Sequence, residues 1–128
     1  MKSMSKFAVL GLAAGSLLAA AVPAMAHHSY AMFDRSRTVK ISGTVKLFQW
    51  TNPHMYLWVT VTDDKGVDTL YGIEGSSPNS LSRMGWNKHT LDPGDKVTVE
   101  LQPLKDGRPG GFFVKAMKDG KDIVGGPG

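Results

Sequence analysis

The chain has 128 residues, of which 41% are hydrophobic and 20% charged, with a net charge of +4 and no cysteine. This length indicates one small domain, and the composition supplies enough apolar material for a core while excluding a disordered polyelectrolyte. The lack of cysteine excludes disulfides, thiolate metal sites, cysteine nucleophiles and lipid-modified cysteines.

Residues 1–26 are predicted to be a secretory signal peptide. Lys2 and Lys6 precede an apolar run at residues 7–21. Ala24 and Ala26 then supply the small-x-small pattern that signal peptidase cleaves. A membrane anchor is the alternative, but the run is shorter than the roughly 20 residues that a spanning helix needs. We therefore expect an exported protein, periplasmic or secreted, with no membrane span after cleavage.

Removal of this segment also lowers the charge. The mature chain retains 13 basic and 11 acidic residues, a net charge of +2 over 102 residues. Because binding to nucleic acid requires a dense cationic face, we expect no nucleic-acid partner.

The mature chain is predicted to start with an N-terminal arm at residues 27–37 and to continue as a strand. Residues 39–47 alternate between apolar and polar side chains, and Gly43 is typical of a bend or bulge in such a strand. The alternation slips before Phe48 and Trp50. The apolar phase before the slip consists of Val39, Ile41, Val45 and Leu47.

Two further strands follow a turn at residues 51–53. The second strand places His54, Tyr56 and Trp58 in a row on one face, because side chains two apart in a strand point the same way. Its other face is aliphatic: Met55, Leu57, Val59 and Val61. The third strand is predicted over residues 67–74, with Val67, Thr69, Tyr71 and Ile73 in phase.

A short helix and two more strands complete the pattern. Ser77 as N-cap and Pro78 at the first helical position predict a helix over residues 78–84. Strands follow at residues 97–101 and 111–118. This order favours an all-β fold with one short helix, a five-stranded OB-like Greek-key barrel over residues 38–120. A small β-sandwich is the alternative, and residues 121–128 are predicted to be a flexible tail.

The mature N-terminus is the first candidate site. Cleavage after Ala26 would give His27 both a free α-amine and an imidazole, and these two donors can chelate one metal ion. Nitrogen donors suit copper, nickel and zinc, and Cu(II) stands highest in the affinity order. A further nitrogen could come from His28, His54 or His89. Cleavage after Ala24 would instead put His27 third in the chain, which also chelates Cu(II) or Ni(II). An unoccupied polar terminus is the simpler alternative.

The aromatic row on the second strand is the second candidate site. Tyr56 and Trp58 either lie under the N-terminal arm as part of the core or form an exposed ligand face. If the arm crosses this face, His27 or His28 would meet His54. Glu74, which follows the third strand, is a candidate acid, base or metal ligand, and its alternative role is a cap or an ion pair with Arg83 or a lysine.

Several short motifs together resemble one protein family. They are His27-His28-Ser29, Gly43-Thr44-Val45, Trp50-Thr51-Asn52-Pro53-His54, Ile73-Glu74-Gly75-Ser76-Ser77-Pro78-Asn79, Gly85-Trp86 and Leu91-Asp92-Pro93-Gly94-Asp95. This set is similar to a family of small exported bacterial proteins known only as a domain of unknown function. The resemblance implies a periplasmic location and carries no activity, substrate or catalytic residue.

The sequence therefore predicts a periplasmic small-ligand-binding protein. Its leading ligand is a transition metal, copper first, held by His27, His28 and His54, with Tyr56, Trp58 and Glu74 forming a ligand face. The alternative is a metal-free adaptor that uses the aromatic face for a protein, peptide or glycan. The sequence contains no recognisable set of catalytic residues that would indicate an enzyme.

Overall fold

A computed structural model describes residues 30–123 of the chain. One helix, α1 (Pro78–Arg83), lies entirely within these residues. The strands are β1 (Val39–Gln49), β2 (Tyr56–Thr62), β3 (Asp68–Glu74), β4 (Lys96–Pro103), β5 (Gly110–Lys118) and β6 (Lys121–Asp122). The predicted signal peptide, His27, His28 and residues 124–128 of the predicted tail lie outside the described residues.

The first five strands close into a barrel. They follow the order β3-β2-β1-β4-β5 with antiparallel neighbours, and β6 extends the sheet beside β5. Closure comes from a parallel pairing of β3 with β5, in which Gly72 lies opposite Gly110 and Glu74 opposite Phe112. The predicted mostly-β fold, an OB-like five-stranded barrel with one short helix, is therefore confirmed. In residues 30–123 no helix is long and apolar enough to cross a membrane.

The core fills the barrel with side chains from the five strands that close it. The alternation predicted for β2 is confirmed. Leu57 and Val59 are fully buried, whereas Tyr56 faces outward. The buried hydrophobic cluster consists of Val45, Phe48, Met55, Leu57, Val59, Ile73, Leu81, Trp86, Leu91, Val97, Val99, Leu101, Phe113 and Ala116.

A β-bulge in β1 overturns the predicted position of Leu47. Val45 pairs with Val59 and Leu47 with Trp58, so Lys46 is an extra residue without an opposite partner. A bulge shifts the alternation by one residue. Val45 and Phe48 therefore point inward, whereas Leu47 is 44% exposed.

The start of β3 also differs from the prediction. Val67 precedes the strand and is exposed, and Thr69 is exposed as well, although the unbroken register keeps it in phase with the buried Ile73. The reason is that β5 pairs with β3 only from Gly72 onward, so the first half of β3 extends beyond the closed part of the barrel.

Glycine is required where strands approach closely. A Cβ on Gly43 would collide with the backbone carbonyl oxygen of Thr60, and one on Gly111 would collide with that of Gln102. Gly43 therefore permits the close approach of β1 to β2 at this point. The observed irregularity in β1 lies further along, between Val45 and Leu47.

Helix α1 follows the predicted capping pattern. The Ser77 hydroxyl accepts a hydrogen bond from the Ser80 amide at 3.2 Å, and Pro78 occupies the first turn. Leu81 anchors the helix in the core, and Gly85 follows its end with a φ of +89°.

The N-terminal arm is fastened to the barrel beside β4. Phe33 is buried and forms a β-bridge with Leu104, and the Asp34 amide donates to the Pro103 carbonyl at 2.8 Å. At the other terminus, Lys121 and Asp122, which were predicted to belong to the tail, pair with β5 as strand β6.

Candidate functional site

The candidate site lies where β3 pairs with β5, at the point where β2 begins. Tyr56, the first residue of β2, is the cross-strand partner of Glu74, the last residue of β3. His54 stands two positions before Tyr56, on the same side of the chain. The register of the barrel therefore brings three of the predicted site residues together, although Glu74 is separated from the other two in sequence.

His54 is held by the loop that follows β3. The Met55 amide donates to the Ser76 carbonyl at 3.1 Å, and the Gly75 amide donates to the Met55 carbonyl at 3.0 Å. Any side chain at position 75 would collide with that of Met55. The two segments are thus locked against each other, and this fixes the backbone on both sides of His54.

The imidazole of His54 has a defined orientation. Its Nδ1 lies 2.9 Å from the Gly75 carbonyl oxygen. Because a carbonyl oxygen only accepts hydrogen bonds, Nδ1 carries a proton and donates it, which leaves Nε2 with a free lone pair in the neutral ring. A backbone carbonyl on the far ring nitrogen is the usual support of a metal-ligating histidine.

Glu74 faces this lone pair. Its Oε1 lies 3.8 Å from Nε2 of His54, which is too long for a direct hydrogen bond. Glu74 is 9% exposed, and among residues 30–123 it is the one charged residue that is buried. At this separation the ring nitrogen and the carboxylate oxygen could both bind one metal ion placed between them.

Tyr56 lies directly across from Glu74 on the neighbouring strand, where its hydroxyl feels the carboxylate. Burial raises the pKa of Tyr56 above its ordinary value, and the negative charge of Glu74 raises it further. Tyr56 therefore remains protonated beside Glu74.

A further aromatic ring lies against His54 and is itself packed on Phe112. The Tyr30 ring from the arm meets His54 edge-on with centroids 6.4 Å apart, and it contacts Phe112 of β5 at 5.6 Å. Phe112 also contacts the buried Phe33 at 5.5 Å. The arm thus reaches His54 through Tyr30, which is one of the two alternatives given by the sequence analysis.

Trp58 continues the aromatic row away from the His54 and Glu74 pair. It stacks on Tyr56 with an interplanar angle of 21°, and its indole Nε1 donates to Gln49 Oε1 at 2.7 Å. His89, the other described histidine, is exposed, and its Nδ1 lies 3.4 Å from Oδ1 of Asp92. Between residues 30 and 123, no three His, Asp or Glu side chains come together as a metal site.

Sequence reasoning gave only part of these contacts. The pairing that it considered for Glu74, with Arg83 or a lysine, is not the one observed, because the β2–β3 register puts Tyr56 and His54 next to Glu74 instead. It did not identify the Gly75 carbonyl or Phe112. A single sequence carries no signal for either, since both depend on long-range register.

The fold and this geometry define a small OB-like barrel with an imidazole and carboxylate pair at its β3–β5 closure. The chain belongs to a family of unknown function, DUF6152, whose model matches residues 14–113. This confirms the resemblance indicated by the sequence motifs. No curated protein matches the chain.

Proposed function

We propose that the protein is an exported binding protein for a transition metal ion, with copper as the leading ligand. The observation that carries the proposal is the 3.8 Å separation of His54 Nε2 and Glu74 Oε1, a spacing across which one metal ion can bind both atoms. A divalent ion between them would satisfy both groups and neutralise a carboxylate that is almost entirely buried.

Two donors do not make a complete site, and His27 and His28 are the proposed source of the others. His28 precedes Tyr30 by two residues, a reach of at most about 8 Å between Cα atoms. Tyr30 lies against the His54 ring. A site made from His27, His28, His54 and Glu74 would be rich in nitrogen, which favours Cu(II) among the divalent ions.

This proposal requires export and cleavage after Ala26. We expect the intact mass of the protein recovered from the periplasm to correspond to a chain that starts at His27, or at Met25 if the peptidase cleaves after Ala24. Retention of residues 1–26 would contradict the export proposal and remove the free amine from the metal site.

Calorimetric titration of the processed protein with Cu(II) tests the site. We expect stoichiometric binding that His27→Ala and His54→Ala each weaken by about 10-fold to 100-fold, a loss typical of disturbed metal centres. The matched control is His89→Ala, which removes an exposed imidazole and should leave the affinity unchanged. Affinity should fall as pH drops below about 6.5 to 8, because protons compete for the imidazole and amine lone pairs.

The variants distinguish a joined site from an isolated terminus. If the arm binds copper alone, His27→Ala weakens binding and His54→Ala does not. Binding that is indifferent to both substitutions and to an additional N-terminal residue would refute the proposed site.

A further inference from the structure

The outer face of β1, β2 and β3 carries an apolar patch that the metal site does not use. Leu47 is 44% exposed and Leu70 is 39% exposed, one on each side of Trp58. Leu47 lies directly opposite Trp58 across β1 and β2, and Leu70 lies opposite Thr60 across β2 and β3. The patch is therefore continuous over three strands.

The bulge in β1 brings a charge to this patch. Neighbouring residues in a regular strand point to opposite faces, but Lys46 and Leu47 are both exposed because the bulge rotates the chain between Val45 and Leu47. Bulges commonly redirect side chains at binding sites. Here the bulge adds one ammonium group to an otherwise apolar surface.

The patch forms a concave site. A cavity of about 250 Å³ is lined by Lys46, Leu47, Gln49, Trp58 and Leu70. The six-membered ring of Trp58 lies over Gly72, where a Cβ would come within 2.8 Å of the ring, so the absence of a side chain lets the indole lie close to the sheet.

The polar groups of the cavity leave specific donors available. Gln49 Oε1 accepts the Trp58 indole proton, which fixes the amide so that its NH₂ group remains free to donate. Lys40, Lys115 and Lys118 each form an ion pair with a carboxylate. Within residues 30–123, no carboxylate lies within ion-pair distance of Lys46.

We propose that this cavity binds a small planar carboxylate, an aromatic acid of one or two fused rings. Its ring would lie against Trp58 between Leu47 and Leu70, and its carboxylate would accept from the Lys46 ammonium and the Gln49 amide. A cavity of about 250 Å³ suits a ligand of one or two rings, its apolar walls favour a hydrophobic body, and the unpaired cation favours a negative charge. The sequence left a protein, peptide or glycan partner open for this aromatic face, and the observed charge and volume favour the small acid.

Nuclear magnetic resonance titration of the metal-free mature protein tests this site. The probes are 2-naphthoate and its neutral analogue 2-naphthylmethanol, at equal ionic strength. We expect 2-naphthoate to shift the methyl signals of Leu47 and Leu70 and the indole NH signal of Trp58. Lys46→Gln should weaken 2-naphthoate binding about threefold to fivefold, the value of one exposed ion pair, and should leave the weaker binding of the alcohol unchanged. Added salt should have the same selective effect.

The matched control is Lys65→Gln, an exposed lysine in the β2–β3 turn, which should not alter binding. Leu70→Ser, at an exposed position, should weaken both probes without unfolding the protein. Equal affinity for acid and alcohol, shifts centred elsewhere, or patch signals that change with protein concentration in the absence of a probe would each overturn the proposal. The last result would identify the patch as a contact between copies of the chain. Because the test is run without metal, its outcome is independent of the copper site.

Discussion

At the residue scale, three side chains with different chemistry depend on one another. The Gly75 carbonyl fixes the proton on Nδ1 of His54, Nε2 then faces Glu74, and Tyr56 lies across the strand pair from the same carboxylate. Period-two alternation in β2 was enough to place His54 and Tyr56 on one face. The partner across the strand could not be derived, since it depends on how β2 and β3 are aligned.

The titration of Tyr56 is a direct consequence of this cluster. Its pKa is raised first by burial and then by the charge of Glu74. Because the pKa is higher in the folded state than the ordinary value of 10.0, the stabilisation associated with Tyr56 is fully present below about pH 10 and is lost as the pH rises through the raised pKa. Glu74→Gln should lower the pKa of Tyr56 but leave it above the ordinary value, because burial remains.

Ultraviolet absorbance of tyrosinate as a function of pH measures this titration. The signal that disappears in Tyr56→Phe identifies Tyr56 among the three tyrosines of the chain. A Tyr56 that titrates at or below its ordinary pKa, or that is unaffected by Glu74→Gln, would contradict the described burial of Tyr56 beside Glu74.

At the element scale, β1 shows where sequence patterns are informative and where they fail. A slip in the alternation was evident from Phe48 and Trp50, and the bulge supplies its physical basis. The alternation predicts the slip after Leu47, whereas the bulge lies before it. Val45 and Leu47 are both aliphatic, so the sequence does not show that Val45 points inward and Leu47 outward. The strand pairing alone shows that Lys46 is the extra residue.

The close approach of β1 to β2 at Gly43 gives a test of strand packing. Gly43→Ala adds a Cβ that would collide with the backbone carbonyl of Thr60 and with the Val59 side chain. Since backbone on β2 cannot move without disturbing its pairing, we expect a loss of about 1 to 3 kcal/mol in the free energy of unfolding. Chemical denaturation would measure this loss. Lys46→Ala, at an exposed position of the same strand, should cost much less, and equal effects would argue against the tight β1–β2 crossing.

At the scale of the whole molecule, the barrel follows from the order of its elements. Three strands, a short capped helix and two strands predicted the OB-like topology, and the β3–β5 pairing closes it. The β2–β3 register beside this closure creates the candidate site, because it places Tyr56 opposite Glu74, and the closure adds Phe112. The order of elements predicts which strands meet, but the side chains that face each other at the seam depend on register.

Burial in the barrel core predicts a large effect for one truncation. Leu57 is fully buried, so Leu57→Ala should lower the free energy of unfolding by about 2 to 4 kcal/mol through lost burial and a cavity. Lys40→Ala removes an exposed ion pair with Glu100 and should change stability by less than about 1 kcal/mol. Guanidinium denaturation of both variants would test whether Leu57 belongs to the core.

The central claim is that the arm and the barrel form one metal site around His54 and Glu74. Substoichiometric Cu(II) broadens nuclear magnetic resonance signals of nearby nuclei, so it locates the ion on the processed protein. We expect the amide signals of His54, Gly75 and Phe112 to disappear first, those of the β2–β3 turn near Lys65 to persist, and His54→Ala to restore the barrel signals. Broadening confined to residues before Tyr30, or centred on His89, would contradict the central claim.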